Sequence, residues 1–455
     1  MKYHYFILIL FFLSCICPEV GSQELIKTHT PKRQTGQTDV VGLKCEPIPL
    51  VRVGFIGVGM RGRAAVERFV HLEGVIVKAF CDMYPQNIEH CQSVLKKNGM
   101  SKATEYLGAD AWKQLCSRDD IDLVYICTDW LTHTPMSVYA MEKGKHVAVE
   151  VPAATTVEEC WQLVNTAEKT RRHCIMLENC CYDFFELATL NMAQQGVFGN
   201  VTYGEGAYIH DMNDFLISGN IGSKEPHNSW RQKYNVKHTG NPYPTHGLGP
   251  ICQIMNIHRG DKLNSLVSLS TNQFGLTESS KEKYKKDSPQ ANQEYKMGDM
   301  NVSLIRTEKG KLIMVQHDVT SPRPYSRIHL LSGTKGYAQK WPVEQIALKP
   351  NAHDPMPKAD MDSLLALYEH PFSKEIGERA RKVGGHGGMD FIMDYRLIYC
   401  LQNGLPLDMD VYDAAEWSCL VDLCEKSVLN NGAPVEIPDF TRGAWNKLKG
   451  LQFAD

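Results

Sequence analysis

The run Val51-Arg-Val-Gly-Phe-Ile56 leads directly into Gly57-Val-Gly59-Met-Arg-Gly62, and Arg63 to Glu73 beyond it is compatible with a helix. A β-rich run, three glycines at this spacing and a helix make a strand–turn–helix unit that few folds accommodate. Gly57 permits the tight turn, Gly59 lets the backbone approach a pyrophosphate, and Gly62 lets helix and strand pack closely. The helix N-terminus then offers unpaired N–H groups to the phosphates. A second strand-like run, Val75 to Cys81, ends at Asp82, 20 residues beyond Gly62. A carboxylate there can bond the ribose hydroxyls and repel a 2′-phosphate, so the expected cofactor is NAD rather than NADP.

The alternation continues down the chain. Leu123–Cys127, His146–Glu150 and Cys174–Glu178 read as buried strands, and Pro135–Lys143, Val157–Thr170 and Phe184–Gln195 as helices. Strands alternating with helices predict a parallel doubly wound sheet, whose ligands sit at the carboxyl ends of its strands. Three polar clusters fall at such ends: Thr128-Asp-Trp130-Leu131-Thr132-His133, Glu150-Val151-Pro152, and Glu178-Asn179 running to Tyr182. After about Gly199 the pattern changes. Val201–His210, Leu263–Ser270, Met300–Glu308, Lys311–Asp318 and Ile328–Leu331 are strand-like with few helices between them, and Ser280 to Glu294 reads as a solvated loop. Helical periodicity returns at Asp390–Leu401 and Asp410–Leu429. The expected architecture is an α/β Rossmann domain over residues 50–180, followed by an α+β domain over 181–455. The second carries an open, mainly antiparallel sheet, and its C-terminal helices return to the first domain.

The chain begins MKYHYFILILFFLSCICPEVGSQE. Its apolar run, Phe6 to Cys17, falls short of the ~20 residues that span a bilayer. A short apolar core followed by small residues near Val20–Ser22 is the pattern of a removable signal peptide over residues 1–22. Cys15 offers a second outcome, a lipidated bacterial lipoprotein cysteine. The expected address is therefore the bacterial periplasm, or the cell envelope through a lipid anchor. An export route that carries proteins already folded around NAD needs a twin-arginine signal, and MKYHY has no arginine pair. Residues 23–49 are polar and turn-rich and read as a linker. Of the 15 cysteines, Cys15 and Cys17 fall in the leader; the odd number that remains contains no Cys-x-x-Cys pair and reads as small buried hydrophobes. With 49 Lys plus Arg against 52 Asp plus Glu, no nucleic-acid partner is expected. No His-Glu-x-x-His or His-x-x-Glu-His array is present, so no metal is expected either.

At Gly57–Gly62, Asp82, Trp130–His133 and Glu150–Pro152 the chain resembles the Gfo/Idh/MocA superfamily of NAD(P)-linked sugar proteins. Its ordinary dehydrogenases carry Glu-Lys-Pro where this chain has Glu150-Val151-Pro152, and the missing lysine argues against a plain sugar dehydrogenase. A narrower set of motifs runs through the chain: Gly-x-Gly-Met-Arg-Gly, Trp-x-x-His, Glu-Val-Pro, Glu-Asn-Cys-x-Tyr, Trp-Arg, Asn-x-Tyr-Pro-Thr-His-Gly and His-Gly-Gly-Met-Asp. Together they resemble glycoside hydrolase family 109, the NAD-dependent α-N-acetylgalactosaminidases. The resemblance implies NAD contacts at Met60, Arg61, Asp82, Trp130, Leu131, Thr132, His133, Glu150, Val151 and Asn179, beside Gly57, Gly59 and Gly62. It implies substrate contacts at Tyr208, Arg231, Tyr243, Pro244, Thr245, His246 and Tyr325.

The residues themselves add to this. Asn241-Pro-Tyr-Pro-Thr-His246-Gly-Leu-Gly-Pro250 holds three prolines, and it reads as a rigid non-helical segment displaying Tyr243 and His246. An aromatic face suits a sugar ring, and an imidazole exchanges protons near neutral pH. Gly384-Gly-His386-Gly-Gly388 reads either as a loop lining the site or as the turn into the next helix. The implied reaction releases terminal α-linked N-acetylgalactosamine without net redox change. Oxidation at C3 acidifies the C2 proton, the C1 group is eliminated, water adds, and C3 is reduced again; NAD-dependent enzymes are exceptions to the two-carboxylate glycosidase scheme. The assigned roles are His246 at the 3-hydroxyl proton, Tyr182 as C2 base, Tyr243 or Tyr325 at the leaving group, and Glu150 as an orienting carboxylate. The alternatives are an NAD(P)-dependent sugar oxidoreductase with net cofactor turnover and a catalytically silent sugar-binding lipoprotein. Analogy with the fold suggests a homodimer.

Overall fold

A computed structural model describes residues 23–218 and 229–454 of the chain. The expected signal peptide, 1–22, with Cys15, lies outside the described residues. The first domain follows the alternating pattern: β1 (Val51–Ile56), α1 (Met60–Phe69), β2 (Val75–Asp82), α2 (Pro85–Lys97), β3 (Thr104–Leu107), α3 (Trp112–Cys116), β4 (Leu123–Ile126), α4 (Trp130–Glu142), β5 (His146–Val149), α5 (Val157–Thr170) and β6 (Cys174–Met176). The sheet order is β3-β2-β1-β4-β5-β6, and all its pairs are parallel. Every residue of β4 and β5 is buried, as helices on both faces of a parallel sheet require. Local signals set the helix starts. Thr156 and Glu159 close a capping box on α5, and the Asp129 carboxylate accepts the Leu131 N–H at the start of α4. That cap starts α4 five residues before the Pro135 start read from the sequence, with the proline inside the helix.

The second domain opens with α6 (Phe184–Gln194), β7 (Val201–Ile209), α7 (Asn213–Ser218), α8 (Ser229–Lys237) and α9 (Thr245–Ile254). It continues through β8 (Leu263–Ser270), α10 (Gly275–Lys283), β9 (Met300–Thr307), β10 (Leu312–Asp318), β11 (Leu330–Gly333), β12 (Gly336–Gln339) and β13 (Gln345–Leu348). It ends with α11 (Lys358–Leu367), α12 (Pro371–Val383), α13 (Met389–Asn403), α14 (Val411–Leu429) and β14 (Val435–Glu436). Eight strands form one open sheet in the order β13-β12-β11-β7-β10-β9-β8-β14, antiparallel except for the β7–β10 pair. Part of the stretch expected as a solvated loop, Ser280 to Glu294, is the end of α10, and Tyr284 behind it hydrogen-bonds the Ile217 carbonyl.

Three findings position the site. First, the segment read as non-helical is helical: α9 starts at Thr245, just after Pro244, and carries Pro250 inside it. Pro244 occupies the cap, where its missing N–H is not needed. Glycines let α9 lie directly on β7. A Cβ on Gly206 would fall 1.9 Å from the Gly247 carbonyl oxygen, and one on Gly247 would fall 2.3 Å from the Ala207 nitrogen. Second, α13 and α14 return to the first domain: Arg68 of α1 pairs with Asp394 at 2.7 Å, and the Tyr125 hydroxyl of β4 donates to the same carboxylate at 2.9 Å. Third, residues 23–49 are irregular but are not the free linker read from the sequence. Ile26 bridges to Val435, Arg33 pairs with the fully buried Glu168 at 3.0 Å, and Val40 is buried against α14 through its N–H bond to Tyr412. The segment is a strap tying both domains together. Among the described residues no helix is long and apolar enough to cross a membrane, and all thirteen cysteines are free.

Candidate active site

A cleft of about 410 Å³ opens at the carboxyl ends of β1, β2 and β4, lined by Gly57, Gly59, Met60, Arg61, Asp82, Met83, Tyr84, Asn87, Thr128, Asp129, Thr132, Trp230 and Arg231. Gly57 has φ +79°, and a Cβ there would sit 2.6 Å from the Cys127 carbonyl oxygen. A Cβ on Gly62 would lie 1.9 Å from the Gly57 carbonyl oxygen. Gly59 differs, because its nearest neighbour would be 3.7 Å away, so its bare backbone faces the cleft. The three glycines thus hold the turn, the packing and the approach expected of each. Asp82 accepts the Val58 N–H at 2.8 Å, the Tyr84 N–H at 2.9 Å and Asn87 Nδ2 at 3.1 Å. It therefore shapes the glycine loop as well as lining the cleft.

The other expected cofactor residues divide into two groups. Met60, Arg61 and Thr132 line the cleft. Arg61 Nε donates to Glu150 at 2.9 Å and its Nη1 lies 3.4 Å from Asp390, which also accepts from Asn179 Nδ2 at 2.5 Å. Glu150 and Asn179 therefore act on the cleft by holding Arg61 and Asp390. Burial alone would raise the Asp390 carboxyl, but hydrogen bonding from His386 and the charges of Arg61 and Arg68 hold it well below the usual range. His133 is different. Both ring nitrogens face backbone carbonyls, Pro152 O at 2.8 Å and Thr128 O at 3.1 Å, and burial lowers its pKa. Held neutral, the imidazole has one N–H and donates to one of these carbonyls; the residue is buried and is not among those lining the cleft, in contrast to the direct contact expected of it. Val151 is buried in the core, while Leu131 is 59% exposed at the start of α4.

Beyond the cleft a continuous aromatic wall runs into the second domain. Trp130 packs edge-on against Trp230 at 4.8 Å and lies 5.9 Å from Tyr243, with the Arg231 guanidinium 4.9 Å over each indole. Tyr243 lies 4.6 Å from Tyr208, and both rings border His246, at 4.9 Å and 5.3 Å. The wall continues from Tyr208 to His210 at 4.8 Å and on to Tyr325 at 5.3 Å. Burial pushes the Tyr208, Tyr243 and Tyr325 hydroxyls up, so they stay neutral and serve as donors. Burial lowers His210 and takes His317 down to about 4. Among the described residues, polar atoms of this wall are buried without partners: Arg231 Nε, His210 Nε2 and His317 Nδ1. Such a concentration of orphans marks a surface made for a polar ligand.

His246 Nδ1 lies 2.7 Å from Oε1 of the fully buried Glu178. Burial would raise the Glu178 carboxyl, but the His246 charge and hydrogen bond outweigh it and hold the group below its ordinary value. A carboxylate on Nδ1 fixes the tautomer and leaves Nε2 for a ligand. Tyr325 accepts a hydrogen bond from Arg327 Nη1 at 3.1 Å, and Arg327 is itself anchored to Asp183 at 2.7 Å and Glu186 at 2.6 Å. Tyr182 is not part of the wall. It is fully buried, its hydroxyl donates to Asp408 at 3.1 Å beside Arg396, and burial raises its pKa well above the tyrosine value. This corrects its assignment as the C2 base. Sequence reading missed His210 and His317, and it took from the Trp-Arg motif only Arg231, not Trp230, as a contact. Strand period 2 placed His210 on the Tyr208 face, but His317 joins it only through the β7–β10 register, in which Tyr208 and His317 are partners.

The glycine loop, the open backbone at Gly59 and the Asp82 carboxylate fit a dinucleotide. Comparison with known proteins agrees. Residues 51–178 match the model of the oxidoreductase family, NAD-binding Rossmann fold, and residues 182–447 match that of glycosyl hydrolase 109, C-terminal domain. A Bacteroides fragilis protein named alpha-N-acetylgalactosaminidase is 58% identical over 90% of this chain and 96% of its own length. A family 109 protein of Porphyromonas gingivalis is 51% identical over 96% of this chain and 94% of its own length. Among solved structures, levoglucosan dehydrogenase with NADH and levoglucosan superposes with a TM-score of 0.63 at 15% identity, covering 85% of this chain and 99% of the other, which shows a shared fold. The chain has an NAD-binding Rossmann domain and belongs to glycosyl hydrolase family 109.

Proposed function

We propose that this protein hydrolyses terminal α-linked N-acetylgalactosamine with no net consumption of NAD. The observation that carries this reading is the placement of His246, oriented by Glu178 and boxed by Tyr208 and Tyr243, on a wall continuous with the nicotinamide-dinucleotide cleft. The name of the Bacteroides fragilis relative supports the substrate. When bound, NAD supplies a reversible hydride acceptor for C3 of the sugar. His246 Nε2 takes the 3-hydroxyl proton and later returns it, with Glu178 stabilising the imidazolium in between. Tyr243 or Tyr325, neutral at working pH, donates to the departing O1, and Arg327 keeps the Tyr325 oxygen in place. Arg231 and the aromatic rings hold the sugar face. Val151, where sugar dehydrogenases carry lysine, contributes no proton-transfer group.

The test is to incubate the protein with p-nitrophenyl α-N-acetylgalactosaminide and follow nitrophenol and NADH absorbance together. Nitrophenol without lasting NADH is expected. NADH accumulating on free sugars, with no nitrophenol, would replace this reading with a sugar oxidoreductase. We further propose that the protein is exported and sits in the periplasm or, through Cys15, on a lipid anchor, as its leader composition supports. Envelope fractionation and palmitate labelling, lost in Cys15→Ser, decide between the two forms. We also propose a homodimer through the outer face of the open sheet. Val267, Leu269 and Leu312 share that face and are 37%, 63% and 40% exposed. Light scattering should show a dimer that Leu269→Glu dissociates.

A further inference from the structure

Glu178, Cys180 and His246 reach one point from three places: the end of β6, the single 3₁₀ turn after it, and the first turn of α9. One donor atom from each lies within 4.8 Å of the other two. Glu178 Oε1 accepts from His246 Nδ1 at 2.7 Å and from the Cys180 N–H at 3.2 Å, so thiol and carboxylate are locked on one short loop. Glu178 is fully buried; among the described residues its second oxygen, Oε2, makes no well-aligned hydrogen bond, and the Thr245 hydroxyl is the donor beside the carboxylate. A buried carboxylate oxygen this poorly satisfied has lone pairs left to coordinate a cation. His246 is the member with open surface, so a small ion reaches the cluster from the sugar side of the wall.

Thiolate, imidazole nitrogen and carboxylate oxygen together form the donor set of a borderline-soft divalent ion. Tetrahedral zinc places such donors about 3.3–3.6 Å apart. The His246–Glu178 pair, at 2.7 Å, is already slightly closer than that, and the Cys180 thiol, which now faces Asn179 Oδ1 at 3.5 Å, lies within 4.8 Å of both donors.

We propose that Glu178, Cys180 and His246 form an inhibitory site for divalent cations of the zinc class. The ion needs no place in turnover. On coordination the Cys180 thiol releases its proton to solvent, and the proton on His246 Nδ1 transfers to Nε2 as Nδ1 becomes a ligand. Nε2 then donates and no longer accepts, so the residue cannot take a hydroxyl proton from a sugar. One proton is released per ion bound, so binding tightens about tenfold per pH unit while the thiol remains protonated in the free protein.

The test uses the full-length protein with NAD and has two readouts. Co²⁺ replaces Zn²⁺ as a spectroscopic probe and should give a one-to-one thiolate-to-cobalt charge-transfer band, whether or not the protein hydrolyses anything. Zn²⁺ should inhibit nitrophenol release, reversibly with EDTA and more strongly at higher pH. In Cys180→Ser and Cys180→Ala the cobalt band should vanish and zinc inhibition should weaken roughly tenfold or more, each relative to its own metal-free rate. Cys181→Ser, which alters the neighbouring buried thiol, should keep both. A wild-type protein with no cobalt–thiolate band overturns the site without any variant having to fold. So does zinc inhibition that is unchanged in Cys180→Ser. A normal cobalt band in a protein that releases no nitrophenol would leave the site standing and count against the hydrolytic reading alone.

Discussion

His246 and His258 show how the same residue type takes opposite tasks from its surroundings. His246 has one carboxylate and an open side, and it is the proton carrier of the proposed reaction. His246→Ala is expected to lower hydrolysis by about 10²–10⁴-fold while NAD still binds, as measured by cofactor fluorescence. His258 is fully buried between Glu416 at 2.5 Å and Asp413 at 3.5 Å. Burial works against its charge, but those two carboxylates outweigh it and raise it to about 10. A pKa raised on folding stabilises fully below the unfolded value, near 6.5, and that stability is lost as pH climbs through 10. Thermal melts from pH 6.5 to 10 should therefore fall by the equivalent of a few kcal/mol. In His258→Gln the same series should be flatter; equal slopes in both proteins would refute the assignment.

At the scale of elements, the glycine loop tolerates no side chain where it turns back on itself. Gly62→Ala drives a Cβ into the Gly57 carbonyl at 1.9 Å, and neither atom belongs to a flexible side chain. NAD binding should fall at least tenfold, read by titration, with far-UV dichroism nearly unchanged. The strap makes a different prediction. Arg33 reaches Glu168, which Arg442 and Tyr412 also hold, each at 2.7 Å. Arg33→Ala removes one of three partners of a buried carboxylate and should cost about 1–3 kcal/mol in urea unfolding, without changing NAD affinity. These elements were unequally legible. β1, the glycine turn and α5 follow from local chemistry, since periodicity, glycine spacing and a capping box all act within a few residues. The start of α9 was not legible: Pro242 and Pro244 precede the first turn, where no N–H is needed, but Pro250 sits inside the helix and gives up one backbone bond, a loss offset only by the packing of α9 on β7.

The whole molecule is joined through a buried charge network. Asp390 of α13 meets Arg61 and Arg68 of α1 and Asn179 after β6, so the second domain anchors Arg61, which lines the cofactor cleft. Asp390→Ala leaves these cations short of a partner and is expected to cost about 3–5 kcal/mol in denaturant unfolding. It should also weaken NAD, because Arg61 loses one of its two anchors. Added NAD should raise the melting temperature of the wild type as ligand linkage requires, by the equivalent of about 2.7 kcal/mol at 100 times its dissociation constant.

What the amino-acid sequence determined by itself is local: the strand–glycine–helix unit, the alternation that makes a parallel sheet, and the motifs that mark the family. Each depends on spacing over a few residues, and spacing survives folding unchanged. The tertiary structure decided which distant side chains share a space. It set Glu178 behind His246, His317 beside Tyr208, and Arg327 under Tyr325; it moved Tyr182 onto Asp408 and buried His133 between two strand-end carbonyls. These pairings depend on strand register and on the seating of α9 on β7. Register and seating are set by the packing of the whole core, so no short window of sequence contains them.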